Sequence, residues 1–253
     1  MITPVLAYHF ISKNFITQHS LETTGVGKTL TVKGEIILGL NGMHASRHPA
    51  DALLYAQDDQ TMLCLVEISG NIIEGDDLVC GQSRKILQSF DATKMLRLYA
   101  VERAESVLPI FEEFSPVDKR PRAAIEAAKR LALDPSDENR QLMQIAQEAA
   151  HTVWRGTDSR ADRASRAAGW AARAAARAAA GVATDAAVEA ACKATWVVNA
   201  AGWAARDKAD GAADQPVDGA TRAEALLEDR ARFKELVTAA FADSRATVTD
   251  AVT

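Results

Sequence analysis

Ser115-Pro116-Val117-Asp118-Lys119-Arg120-Pro121 decides how the chain is read, because its composition changes across this stretch. Two prolines with charges between them mark a linker. Downstream, 42 of 138 residues are alanine, the best helix former, whose small side chain lets helix axes approach closely. One phrase occurs twice there: Ala168-Gly169-Trp170-Ala171-Ala172-Arg173 and Ala201-Gly202-Trp203-Ala204-Ala205-Arg206. The spacing is about that of one helical hairpin, and two copies fall short of a regular solenoid. Helices are expected over residues 121–133, 136–155, 158–180, 184–209 and 219–242. Their ends carry their own chemistry: Asp134-Pro135-Ser136 supplies a stop and an N-cap, with Asp137 and Glu138 in the next first turn.

Upstream of the linker the pattern is mixed. Residues 62–68 (Met-Leu-Cys-Leu-Val-Glu-Ile) form the clearest strand, and residues 5–11 read as another. Residues 29–38 are β-branched and roughly alternating, with Gly34 as a bend. Gly39-Leu40-Asn41-Gly42 reads as a turn, and Pro49 to Ala56 as a short helix. Asn71 to Glu74 and Leu78 to Cys80 are short strands around Gly75-Asp76-Asp77. Residues 84–114 place Ile86, Leu87, Phe90, Met95, Leu96 and Tyr99 in partly helical order, and Pro109 is expected to limit that helix. The expected fold class is therefore α+β: a small α+β domain over residues 1–115, then an Ala-rich helical bundle or short helical array over 116–253.

Charge and cysteine usage narrow the function classes. Residues 1–115 hold 9 Lys and Arg against 14 Asp and Glu, whereas residues 116–253 hold 20 of each. A broad basic surface for nucleic acid is not indicated. Three scattered cysteines with no C-x-x-C spacing argue against a disulfide framework and for a reducing, cytoplasmic compartment. The start lacks a basic segment followed by an apolar run, and no stretch is long and apolar enough for a membrane span. No cofactor is indicated by motif. Gly25-Val26-Gly27-Lys28-Thr29 mimics part of a phosphate loop, but Glu22 stands where a glycine is needed and a strand pattern follows, so it reads as a hairpin turn. His44 and His48 are four apart, yet Pro49 disfavours helix at His48, so no metal site is expected.

The phrase Gly42-Met43-His44-Ala45-Ser46-Arg47-His48-Pro49-Ala50-Asp51-Ala52-Leu53-Leu54-Tyr55-Ala56 sets a His, a Ser and an Arg before a short helix. Such groups suit an anion or a dinucleotide phosphate; in the bland reading His44 and Ser46 satisfy backbone groups and cap the helix. This phrase, with Val66-Glu67-Ile68-Ser69-Gly70, resembles a small domain of bacteriophage and bacterial proteins without an assigned activity. The layout also distantly resembles ADP-ribosyltransferase folds. That resemblance implies NAD held by His9, His44, Ser46 and Tyr55, with Glu67 or Glu74 as the later glutamate.

Asp118-Lys119-Arg120-Pro121-Arg122-Ala123-Ala124-Ile125-Glu126-Ala127-Ala128, followed by Ala- and Trp-rich helices, resembles the opening of immunity proteins of bacterial toxin systems. It implies an α-helical module that binds a partner. Arg120, Arg122, Arg166, Arg173, Arg177 and Arg206 are then the candidates for partner contact, since Arg and Trp on one helix face are common hot-spot residues. The expected function is that of a phage or mobile-element accessory protein. It would bind a macromolecule stoichiometrically, such as a host defence protein in the host cytoplasm, in the manner of an anti-CRISPR or other anti-defence inhibitor. Two alternatives stand beside it: an ADP-ribosyltransferase-like enzyme using NAD, and a structural phage component that assembles with its own copies.

Gly169 and Gly202 each precede a Trp in an expected helix interior, where glycine costs about 1 kcal/mol relative to alanine. A cost met twice points to packing that needs the missing side chain. Trp170→Ala or Trp203→Ala is therefore expected to destabilise the helical part by about 3–5 kcal/mol in denaturant unfolding. A variant that unfolds like wild type but loses its partner would show an exposed anchor instead.

Overall fold

The computed structural model describes residues 3–16, 23–56, 61–157 and 219–250. The architecture is α+β: an antiparallel sheet domain comes first and helices follow. The elements are β1 (Val5–Ile11), β2 (Thr29–Thr31), β3 (Met43–Ala45), α1 (Pro49–Leu54), β4 (Met62–Glu74) and β5 (Val79–Asp91). Then come α2 (Thr93–Phe114), α3 (Arg120–Leu133), α4 (Asp137–Thr157) and α5 (Gly219–Asp250). The chain divides into two compact units, one of residues 1–95 with 230–253, the other of residues 96–229. This differs from a partition at residue 115. Ser115 to Lys119 is the short turn between α2 and α3, and the divisions fall inside α2 and α5.

In the first unit β4 and β5 form a long antiparallel pair, with β1 on the free edge of β4 and both β2 and β3 along the other edge of β5. Beyond β3, Ser46 exchanges both backbone hydrogen bonds with Tyr8 of β1, at 2.7 and 2.9 Å. The hydrogen-bonded circuit β1–β4–β5–β3 thus closes on itself. A register shift between Leu65 and Val66 lets Leu87 bulge out of β5. On one side of it, the cross-strand ranks Phe10–Leu63–Phe90 and Tyr8–Leu65–Gln88 share a sheet face. On the other, Ala7–Val66–Ile86 and Val5–Ile68–Arg84 share the opposite face, where Ala7, Ile11, Ala45, Cys64, Val66, Ile68, Val79 and Ile86 make one core cluster.

The first face is covered by α5. Phe233, Val237 and Phe241 recur every four residues, one stripe of a helix, and all three are buried. The Phe241 ring stands edge-on to Phe90 at 4.7 Å and tilted to Tyr8 at 6.4 Å. Gln88 donates from Nε2 to the Phe241 carbonyl and to Ser244 Oγ, at 2.7 and 2.9 Å. Four residues before Lys234 in the same helix, Arg230 grips the buried Asp51 of α1 through both guanidinium nitrogens.

In the second unit, α3 buries Ala124, Ile125, Ala127, Ala128, Leu131 and Ala132, so alanines bring its axis close to its neighbours as composition implied. Arg122 forks onto Glu112 at 2.6 and 2.5 Å, and Lys129 reaches Glu105 at 2.9 Å. Ser136 caps α4 by accepting from Asn139 N–H at 3.3 Å.

Several expected elements change. Residues 84–91 are strand rather than helix: the bulge makes Ile86 and Leu87 adjacent apolar residues, which imitates helical spacing. The helix starts after Asp91, whose carboxylate accepts from Thr93 N–H at 2.9 Å. Pro109 lies on the exposed side of α2, and the helix runs through it to Phe114. The strand expected over 29–38 ends at Thr31, before Gly34 takes a positive φ. Asn71 to Glu74 continues β4 instead of standing apart. The helices expected over 158–180 and 184–209, both Trp phrases, and Arg166, Arg173, Arg177 and Arg206 lie outside the described residues. Among those described, no helix is long and apolar enough to cross a membrane.

Phe241→Ala removes the ring that covers Phe90 and Tyr8. It is expected to destabilise the first unit by about 3–5 kcal/mol in urea unfolding of the full chain, with Phe241→Leu recovering part of that. Wild-type stability in the alanine variant would mean that α5 does not hold the sheet.

Candidate functional site

Position 42 is where the site begins. Gly42 has φ +142, and a Cβ there would lie 2.2 Å from Cys80 Sγ, so only glycine lets the loop lie against β5. The turn before it closes when Ile37 accepts from Leu40 and Asn41. Gly39 N–H then donates to His44 Nε2 at 2.9 Å, which fixes the proton of a neutral His44 ring on Nδ1. After β3 the chain reaches the Tyr8–Ser46 pair and then α1, whose N-cap is His48: its Nδ1 accepts from Ala50 N–H at 3.2 Å, with Pro49 in the first turn. The cap is thus His48 rather than Ser46. His44 and His48 are each committed to a backbone amide, and among the described residues no three His, Cys, Asp or Glu gather as metal ligands.

Between the loop, β1, β2, β3 and α1 lies a cavity of about 370 Å³. His9, His44, Ser46 and Tyr55 all line it. Four residues singled out over a span of 47 positions thereby meet at one site because the circuit of strands closes at Tyr8–Ser46. Their states differ. Burial, with Arg84 and His44 nearby, holds the His9 imidazole well below the ordinary histidine range, so it is neutral at pH 7. Ser46 is 1% exposed and its Oγ has no hydrogen-bond partner among the described residues. Tyr55 is an exposed rim residue whose hydroxyl donates to Asp77 at 2.8 Å, which raises its pKa.

The residue that changes the character of the cavity is Arg84, which had no local sequence signal. It lies in the stretch of adjacent apolar residues that imitates a helix, and only the bulge turns it to the core face beside Ile68. It is 7% exposed and donates from one terminal nitrogen to the His44 carbonyl at 2.8 Å. Burial lowers its guanidinium to about 10, so it remains a cation at neutral pH. Among the described residues, no Asp or Glu lines the cavity and no carboxylate pairs with Arg84. The cavity wall therefore carries a buried positive charge, an orphaned hydroxyl and a neutral imidazole, set among Ile11, Ile16, Leu30, Val32, Met43 and Leu78.

The other candidates are placed elsewhere. Glu67 sits opposite Lys85 in the register, and Glu74 forks with Arg47 at 2.6 and 3.1 Å; neither lines the cavity. Arg120 is taken up by Asp118 at 2.9 and 2.6 Å and by Thr152 at 3.1 Å, and Arg122 by Glu112. Gly25 to Thr29 is a turn, with Lys28 N–H donating to the Gly25 carbonyl at 3.1 Å and β2 following.

His9 makes the first unit acid-sensitive. Its folded pKa lies below the ordinary 6.5, so the unfolded chain binds a proton that the folded one refuses as pH falls. Stability is expected to fall from about pH 7 to about pH 5, above the range where carboxylates titrate. His48, also lowered by burial, adds to the slope. His9→Gln should flatten it by up to about 1.4 kcal/mol per pH unit in urea unfolding. An unchanged slope in that variant would show a solvated His9.

Residues 5–98 match the family model described as a domain of unknown function, DUF7666. The match runs from β1 into α2 and takes in the whole cavity wall, and residues 99–253 lie outside it. No curated protein and no solved structure matches the chain.

Proposed function

We propose that the chain is a binding protein whose sheet domain receives a small anionic ligand in the cavity of Arg84 and Ser46. One observation carries this reading: a 7% exposed guanidinium faces a cavity that, among the described residues, no carboxylate lines, beside a buried hydroxyl to which none of them hydrogen-bonds. A buried charge is stable when it is paired, and a buried hydroxyl when it is hydrogen-bonded. A ligand that brings one anionic group answers both needs at once. The cavity volume falls near the lower end of small-molecule pockets, roughly 300–1,000 Å³.

A second reading, transfer chemistry on NAD, is favoured by the meeting of His9, His44, Ser46 and Tyr55 in that cavity. It asks for a glutamate beside the ligand, and Glu67 and Glu74 lie elsewhere. For the helical part the proposal stays a macromolecular partner of a phage-borne protein, a host defence protein being the candidate, and it rests on the resemblance of residues 118–155.

Ligand that binds only the folded chain raises its thermal midpoint by mass action. Millimolar phosphate and acetate are expected to raise it at constant ionic strength, with NAD as the probe of the second reading, and Arg84→Met to abolish the shift; Ser46→Ala should diminish it without loss of folding. No shift with any of the three in the wild-type chain would remove the anion reading. A shift with NAD alone would favour the second reading.

A further inference from the structure

We infer that the ligand of this cavity is a short amphiphile: one carboxylate or phosphate-ester head on an unbranched apolar body, free in solution rather than drawn from a bilayer. The inference rests on the anion reading above and adds what the rest of the wall selects. Among the described residues Arg84 is the single Lys or Arg lining the cavity; His9 is held neutral by burial, and the remaining polar side chains are His44, whose Nε2 accepts from Gly39 N–H, Ser46, Asn41 and two tyrosines. One cation calls for one anionic group, and a ligand with several separate anionic groups would leave charge unpaired in a buried place. The other wall residues are apolar. Ile16, Leu30, Val32, Met43 and Leu78, each partly exposed, would face water if an inorganic anion alone sat on Arg84. Filling that space with methylene groups removes apolar surface from water on both sides.

The rim agrees. Leu40, in the turn that ends at Gly42, is 82% exposed although it lines the cavity, and Tyr55 across from β3 is 49% exposed. Large apolar groups held at the edge of an opening are a place where the outer part of an apolar body gains contact without full burial. A nucleotide would bring several charged and hydrogen-bonding groups to a wall that offers one cation. A membrane lipid with two long chains exceeds a cavity of this size, so the head and its body must arrive together as a soluble molecule.

The test is calorimetric titration of the full chain with sodium butyrate, hexanoate, octanoate and decanoate, octyl phosphate, inorganic phosphate and 1-octanol. Affinity should rise about threefold to fourfold per added methylene and then level once the body outgrows the cavity. Octanoate or octyl phosphate should bind at least about tenfold tighter than 1-octanol, as a charge-assisted contact requires. Arg84→Met should remove that preference. Should that variant fail to fold, Val32→Trp, which shortens the apolar end, should move the levelling point to a shorter acid. A flat series in which phosphate and butyrate bind as tightly as octanoate would overturn the amphiphile while leaving the anion reading intact. Equal binding of 1-octanol and octanoate would overturn both, as would no binding by any of these compounds. Retention on phosphatidylglycerol vesicles without binding of the free acids would overturn the soluble source.

Discussion

The bulge at Leu87 is the constraint on which the first unit depends. Side chains alternate across a strand, so one extra residue sends every later side chain to the other face. In β5 it puts Phe90 and Gln88 on the face that α5 covers, and Ile86 and Arg84 on the face of the core. Without it, Lys85 would stand beside Ile68, Ile86 would leave the core cluster and the buried guanidinium would point away from the cavity. One residue of register thus decides both what α5 packs on and what charge the cavity holds.

The same bulge explains which parts of the fold were legible. Strand β4 opens with an unbroken apolar run, as a strand covered on both faces does, β1 is a short apolar run, and Asp134-Pro135-Ser136 separates α3 from α4, so these could be read without a partner in view. Strand β5 could not. A shift of face in mid-strand places apolar residues at adjacent positions, and Ile86, Leu87 and Phe90 then read as one side of a helix. The segment before β3 differs for another reason: Thr29 to Leu38 has strand-forming residues, but pairing with β5 stops after the bond from Val32 N–H to the Gln82 carbonyl, just before Gly34 takes a positive φ. Propensity names what a residue tolerates, whereas pairing decides what it adopts.

The candidate site was legible in its polar residues and not in its charge. His44, Ser46 and Tyr55 stand close together in one phrase, and His9 sits in an apolar strand where a lone imidazole draws notice. Their meeting depends on the Tyr8–Ser46 pair, which is a fact of topology. Arg84 lies outside the phrase and owes its role to a register that no single segment encodes. Likewise the boundary at Ser115 marks a change of composition, and Ser115 lies within the unit of residues 96–229. A change in alanine content reports how closely helices approach, while the compact units follow from which faces cover each other. The stripe Phe233, Val237 and Phe241 is amphipathic in sequence, yet nothing local says that Phe241 meets Phe90, some 150 residues upstream, and Tyr8.

Cavity and helix are in the end held by the same few residues. Ser46 and Ala52 line the cavity, while Asp51, one residue from Ala52, carries the paired contact to Arg230. Tyr8 closes the strand circuit with its backbone and meets Phe241 with its ring. The short helix α1 is too small to be stable by its own hydrogen bonds and stands because its N-cap, its buried Asp51 and its apolar face are each held by something else. A ligand that fastens Ser46 therefore stiffens the segment through which α5 is anchored, and the loss of α5 loosens the wall of the cavity. In a unit whose core face and covered face exchange at a single bulge, binding and folding draw on one set of contacts.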